Sequence, residues 1–251
     1  MRIARFSLQG TVAFAAVEGD ELAVLDTHPF GELVFTGDRV RLADVRLLSP
    51  MIPSKVVAVG KNYADHAREM GDEPPVEPVL FLKPSTSVIG PGDRILRPAG
   101  IDRVDYEGEL AVVIGRLTKG VAADRALDHV LGYTCANDVT ARDLQKTDGQ
   151  WARAKGFDSF CPLGPWIETD LDPGALDLTT TVNSEVRQQS STKQMLHGVA
   201  ELVAYASAVM TLLPGDVLIT GTPAGIGPLA DGDEVSVTIA GIGTLTNPVT
   251  S

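Results

Sequence analysis

The tightest constraint in this chain is a short acidic alternation, Asp105-Tyr-Glu107-Gly-Glu109, running straight into Leu-Ala-Val-Val-Ile114. The apolar run reads as a buried strand. A strand repeats every two residues, so Asp105, Glu107 and Glu109 are predicted to share one face. Neighbours on that face have Cα atoms roughly 6.5–7 Å apart, close enough for two carboxylates to converge on one cation. Without a cation they repel each other. Glu109 also abuts the apolar run, where an unpaired charge is costly. A solvated acidic edge strand is the plainer alternative, and the pattern alone leaves both open.

A second acidic segment follows. Leu131–Ala136 reads as a buried strand, and Asn137-Asp138 comes directly after it. An Asp at a strand end can be a ligand, or it can cap the following turn. Together Glu107, Glu109 and Asp138 make an all-oxygen set, which suits Mg²⁺, Mn²⁺ or Ca²⁺ better than zinc. Three ligands leave positions for water and a chelating substrate.

Upstream, Tyr63–Met70 reads as a short helix with Asn62 as N-cap and Gly71 at its C-terminal stop. His66 and Glu69 are three apart, so their side chains are neighbours. A carboxylate orients an imidazole and raises its basicity; the alternative is an exposed ion pair on a surface helix. Lys155, in Trp151-Ala-Arg-Ala-Lys155-Gly-Phe-Asp158, either snorkels at the surface or supplies the positive charge that an anionic substrate needs. The loop Thr220–Gly227 is glycine-rich but lacks the Lys-Ser/Thr ending of a P-loop. Its N–H groups could still bind a carboxylate.

The rest of the chain frames these segments. A length of 251 residues fits one large domain, or a core domain with an appendage. Residues 1–50 read as a small N-terminal β domain with a hairpin at Glu18-Gly19-Asp20, and residues 51–251 as the main domain. Leu47–Pro53, with two prolines, reads as the linker. Strands are expected at 55–60, 79–82, 109–115, 131–136, 178–183, 217–220 and 234–239, with 71–78 a proline-rich loop. Helices are expected at 122–130 and 193–213; the second places Met195, Val199, Leu202, Ala206, Val209 and Leu213 on one stripe and stops at Pro214. The fold class is therefore mixed and mainly β.

A net charge of −12 argues against nucleic acid as a partner. The first residues carry no apolar signal core, and no apolar run is long enough to span a bilayer, so the expectation is a cytoplasmic protein without a membrane partner. Cys135 and Cys161 form no CxxC pair and are expected reduced and buried.

In this order, Val59–His66, Phe81-Leu-Lys-Pro-Ser85, Asp105–Glu109, Asn137–Gln145, Ala154–Asp158, Val182–Arg187 and Ile219–Gly225 resemble the fumarylacetoacetate hydrolase family over residues 55–249. The short length and the His66–Glu69 pair are similar to its group of hydroxyhepta-dienedioate isomerase and acylpyruvate hydrolase. The resemblance implies a mixed β roll, a homodimer, and a small anionic 2-oxo or enol (di)carboxylic acid as substrate. It implies Glu107, Glu109 and Asp138 as ligands of Mg²⁺ or Mn²⁺, with Ca²⁺ as a substitute in crystals. It implies His66 and Glu69 as a catalytic dyad on a lid that orders over substrate. Lys155, Arg142 and Gln145 would contact substrate or assist at the oxyanion, and Gly221 and Thr222 would hold the substrate carboxylate. The founding members have a fourth acidic ligand upstream; none matches here, and water is expected in its place. Through a metal-stabilised enolate, isomerisation, hydrolytic C–C cleavage and oxaloacetate-type decarboxylation are all open. A non-catalytic metal- or metabolite-binding protein is the rival class, and intact His66, Glu69 and Lys155 argue against it.

Overall fold

The computed structural model describes residues 1–251. In chain order its strands are β1 (Arg2–Leu8), β2 (Thr11–Glu18), β3 (Glu21–Leu25), β4 (Phe35–Arg41), β5 (Arg46–Leu48), β6 (Val56–Gly60), β7 (Val79–Lys83), β8 (Val88–Ile89), β9 (Ile95–Leu96), β10 (Val104–Tyr106), β11 (Gly108–Ile114), β12 (Val130–Asn137), β13 (Thr140–Ala141), β14 (Cys161–Glu168), β15 (Asp177–Val182), β16 (Glu185–Ser191), β17 (Val217–Ile219), β18 (Gly227–Pro228), β19 (Glu234–Ile239) and β20 (Gly243–Thr250). The helices are α1 (Ala64–Glu69), α2 (Arg142–Thr147), α3 (Ala152–Lys155) and α4 (Val199–Val209). The fold is mainly β, as expected.

Every residue of β11 is buried, because it has neighbours on both edges and cover on both faces. It pairs antiparallel with β12, from Gly108↔Asn137 to Ile114↔Val130, and antiparallel with β17 at Ala111↔Ile219. Leu110, Val112 and Ile114 face one apolar cluster with α4 and the inward side of β15 and β19; Ala111 and Val113 face another with Val56, Leu163 and Ile167. The large sheet runs β4-β3-β2-β1-β14-β12-β11-β17-β6-β7; β16-β15-β19-β20-β9 form a second sheet and β13-β10-β18 a third.

Residues 1–50 carry their own small cluster, Ala4, Phe6, Ala15 and Leu22. Their strands continue the large sheet through Arg2↔Glu168 and Ile3↔Ile167.

Three sequence expectations differ from the structure. The helix expected at 193–213 is shorter: Thr192–Gln194 is a 3-10 turn, and α4 begins after Gly198. Met195 packs from an extended segment that bridges to Tyr63, and the chain is extended again at Met210, so Pro214 stops nothing. Residues 123–129 form a 3-10 helix with only Ala126 buried, too narrow a stripe to anchor an α-helix. Asn62 is not the cap of α1; Tyr63 holds that position without a side-chain bond. The chain changes sheet at Glu107: β10 pairs with β13 and β18, β11 with β12 and β17. No helix is long and apolar enough to cross a membrane.

Candidate active site

The β11–β12 register brings the acidic segments together. Gly108 lies opposite Asn137, so Glu107 and Glu109 flank the strand end from which Asp138 emerges. Two bonds pin the junction: Asp138 N–H donates to the Glu107 carbonyl at 2.8 Å, and Glu107 N–H to Asn137 Oδ1 at 2.9 Å. One carboxylate oxygen from each of Glu107, Glu109 and Asp138 lies within 4.8 Å of the others, and all three residues are buried. Asp105 stands apart, bound to Arg103 at 2.8 Å and Arg142 at 2.9 Å.

Three cations converge on these groups. Arg142 donates to Glu107 Oε1 at 2.6 Å. Lys155 Nζ donates to Glu107 Oε2 at 2.8 Å and Asp138 Oδ2 at 2.6 Å. Lys83 Nζ donates to the other oxygen of Asp138 at 2.5 Å. Lys155 is thus buried rather than snorkelling. Sequence reasoning gave Lys83 no role, although it closes the otherwise apolar strand Val79-Leu-Phe-Leu-Lys83 and is 1% exposed. A buried lysine at that position calls for an anionic partner.

The glutamates fare differently. Burial pushes the Glu107 carboxyl up, but Lys155 and Arg142 outweigh it and hold it well below the usual range. Glu109 is pushed well above it, by burial first and then by the charges of Asp138 and Glu107. Its only donor is the neutral Gly221 N–H at 2.6 Å. Burial lowers Lys155, and Asp138 and Glu107 raise it to a net increase. Around Glu109 the cluster is short of positive charge, the lack that a hard divalent ion with three oxygen ligands remedies. The residues fit such an ion.

The cluster lines a cavity of about 230 Å³ that also receives His66, Arg142, Gln145, Lys155 and Thr222. His66 is 5% exposed, so the surface-pair alternative does not hold for it. Its Nδ1 meets Glu69 Oε2 at 3.2 Å, and Glu69 Oε1 accepts from Gly225 N–H at 3.0 Å. Gln145 Oε1 accepts from Arg142 at 2.7 Å. Thr222 donates to the Gly108 carbonyl at 2.9 Å and accepts from Gln188. The Gly221 N–H, expected to hold substrate, is instead engaged by Glu109. Gly221 itself is obligatory, with φ +95° and space for a Cβ only 2.7 Å from that of Asn62.

Residues 55–250 match the family described as Fumarylacetoacetate (FAA) hydrolase C-terminal. The chain belongs to the fumarylacetoacetate hydrolase family. Residues 1–50 match the N-terminal family described as Rv2993c-like. Within the fumarylacetoacetate hydrolase family, the chain is 57% identical to 5-carboxymethyl-2-hydroxymuconate delta-isomerase from Mycobacterium smegmatis, covering 100% of this chain and 99% of that one with a TM-score of 0.95. It is 44% identical to the mitochondrial oxaloacetate tautomerase FAHD2A of Bos taurus, covering 82% of this chain and 70% of that protein. It is 33% identical to a maleylpyruvate hydrolase from Sphingobium sp. SYK-6, solved in complex with manganese (II) ion and pyruvate; the match covers 100% and 99% with a TM-score of 0.83. The chain is an enzyme of this hydrolase and isomerase family.

Proposed function

We propose that the protein is a divalent-metal-dependent enzyme that moves a proton on a small 2-oxo or enol carboxylic acid, giving keto–enol isomerisation or, with water, hydrolytic C–C cleavage of an acylpyruvate-like substrate. One observation carries this reading: an imidazole oriented by a carboxylate shares a cavity with three converging carboxylates. A Mg²⁺ or Mn²⁺ ion held by Glu107, Glu109 and Asp138 would supply a Lewis acid for the carboxylate and keto oxygens of such an acid. The manganese and pyruvate in the maleylpyruvate hydrolase complex support that pairing of ligands.

The chain's own groups do the rest. Glu69 takes Nδ1 of His66, leaving Nε2 to accept or return a proton at the carbon next to the keto group, or to take one from water. The Lys155 ammonium and the free amide N–H groups of Gln145 favour negative charge on the substrate oxygens. Arg142, tied to Asp105 and Glu107, holds that wall in place. Thr222 lines the cavity with its hydroxyl committed to the Gly108 carbonyl and Gln188, which fixes the loop beside the substrate. The working unit is a homodimer.

The test is a panel of acetylpyruvate, oxaloacetate and longer 2-oxo diacids in Mg²⁺, Mn²⁺ or EDTA. Enol absorbance and proton exchange at C3 in D₂O are followed together. Metal-dependent exchange that vanishes in His66→Gln is expected. Carbon dioxide release undiminished in His66→Gln would replace the reading with decarboxylation. No turnover or exchange on any acid would sink it.

A further inference from the structure

We propose that the rim of the cavity is a second anion subsite, in which Lys61 reads the far carboxylate of a 2-oxo diacid; the inference rests on the function proposed above. The inner cations are all engaged: Lys83 on Asp138, Lys155 on Glu107 and Asp138, Arg142 on Asp105 and Glu107. Two more lysines, Lys61 and Lys146, line the same cavity. Lys146 is exposed and makes no ion pair, whereas Lys61 is half-buried and held in place.

The backbone aims Lys61. It follows β6 with φ +57°, a left-handed conformation that is strained for a non-glycine residue and persists only where its surroundings impose it. On one side, Gly60 lies so close to the Trp151 ring that a Cβ would fall 2.5 Å from it. On the other, the Asn62 side chain is fixed by Thr220 and His197. Between these fixed points, Lys61 Nζ lies 6.0 Å from the centroid of the Trp151 ring. Trp151 is itself set edge-on to Phe81, with centroids 5.2 Å apart. The result is an apolar wall with a positively charged end, suited to a short carbon chain that ends in a carboxylate.

Lys61 already holds an anion there. Asp72, just past the end of α1, binds its Nζ at 2.8 Å, and the Asp72 side chain is 44% exposed. A diacid bound with its 2-oxo end at the carboxylate cluster would present its second carboxylate to Lys61 in competition with Asp72. A monoacid would leave that pair intact. Lys61 then selects diacids, and Asp72 sets how strongly.

The experiment reads binding, so it does not depend on turnover. Pyruvate and 2-oxoglutarate, a 2-oxo acid without and with a far carboxylate, are titrated calorimetrically into protein saturated with Mg²⁺. A lost charge-assisted contact corresponds to about a tenfold change. Lys61→Met is expected to weaken 2-oxoglutarate about tenfold and pyruvate less than twofold. Lys61→Arg should restore most of the loss, and Asp72→Asn should tighten 2-oxoglutarate alone. If wild type binds both acids and Lys61→Met leaves their ratio unchanged, the subsite is wrong while the proposed function stands. If wild type binds neither acid, the proposed function falls and takes the subsite with it.

Discussion

His66 divides its two nitrogens between Glu69 and the cavity, and that division fixes what each substitution does. Removing a general base typically lowers rate by about 10²–10⁴. His66→Gln should therefore cut kcat by that factor with little change in KM, since the other cavity groups still attract substrate. Glu69→Gln should lose less, because an amide oxygen can still accept from Gly225 N–H. Near-equal, small losses in both variants would remove His66 from the mechanism. Glu107 and Glu109 look interchangeable in sequence, and the structure separates them. Both Gln variants should lose Mn²⁺ binding, measured by electron paramagnetic resonance. In EDTA, Glu109→Gln should melt no lower than wild type, because it removes a charge pushed toward neutrality by burial, Asp138 and Glu107. Glu107→Gln should melt lower, because it strips a partner from Arg142 and Lys155. Equal melting shifts would count against the charge arrangement described. The cysteines matched their expectation, being free and buried. Burial pushes each thiol from 9.0 up to about 12. A raised folded-state value stabilises the protein below the unfolded one and is lost as pH climbs from about 9 toward 12. Urea midpoints should fall across that window, and a thiol reagent at pH 8 should find no reactive group until the chain unfolds.

Among the elements, Asn62 shows where sequence grammar misleads. An Asn ahead of a helix reads as a cap, yet this one braces three segments. Its amide donates to the carbonyls of His197 at 3.0 Å and Thr220 at 2.8 Å, and its oxygen accepts from His197 N–H at 2.9 Å. Asn62→Ala leaves those buried groups unpaired, a cost of about 1–3 kcal/mol. We expect a melting temperature lower by roughly 2–10 °C and a fall in kcat as α1 loses its footing; an unchanged melt would refute the brace. The same segment explains the overlong helix expected at 193–213. Met195 and Leu213 fit the helical period, but spacing does not reveal that both lie outside α4. Three of the longer strands beyond residue 50 escaped the sequence reading for separate reasons. β14 contains Pro162, Gly164 and Pro165, which demote a strand signal. β16 is largely exposed and polar, so it lacks alternation. β20 alternates, but with threonines in place of a strong apolar set.

For the whole molecule, legibility followed locality. Glu107, Glu109, Asp138, His66 and Lys155 stood out because each interrupts an apolar or helical pattern within a few residues. Lys83 did not, since its meaning depends on Asp138, 55 residues away. The first 50 residues read correctly as β, while their attachment, Ile3 beside Ile167, is a pairing no local pattern announces. Assembly lies at the same scale. In the proposed homodimer a second subunit would cover some of the exposed apolar side chains, such as Ile52, 67% exposed, or Val76, 92%. Sedimentation at micromolar concentration should give a dimer, and a clean monomer would overturn that proposal. The pairing of β11 with β17 also has a consequence in time. Glu109 and the Gly221 N–H that holds it are 112 residues apart. At a synthesis rate of about 5–20 residues per second, the glutamate leaves the ribosome roughly 6–22 seconds before its donor exists. For that interval an acidic stretch of the chain sits beside the apolar run of β11 with one of that strand's two neighbours unmade. The active site is therefore among the last things this protein acquires, and anything that stalls translation between those two residues leaves a nascent chain with an unpaired strand edge and no site.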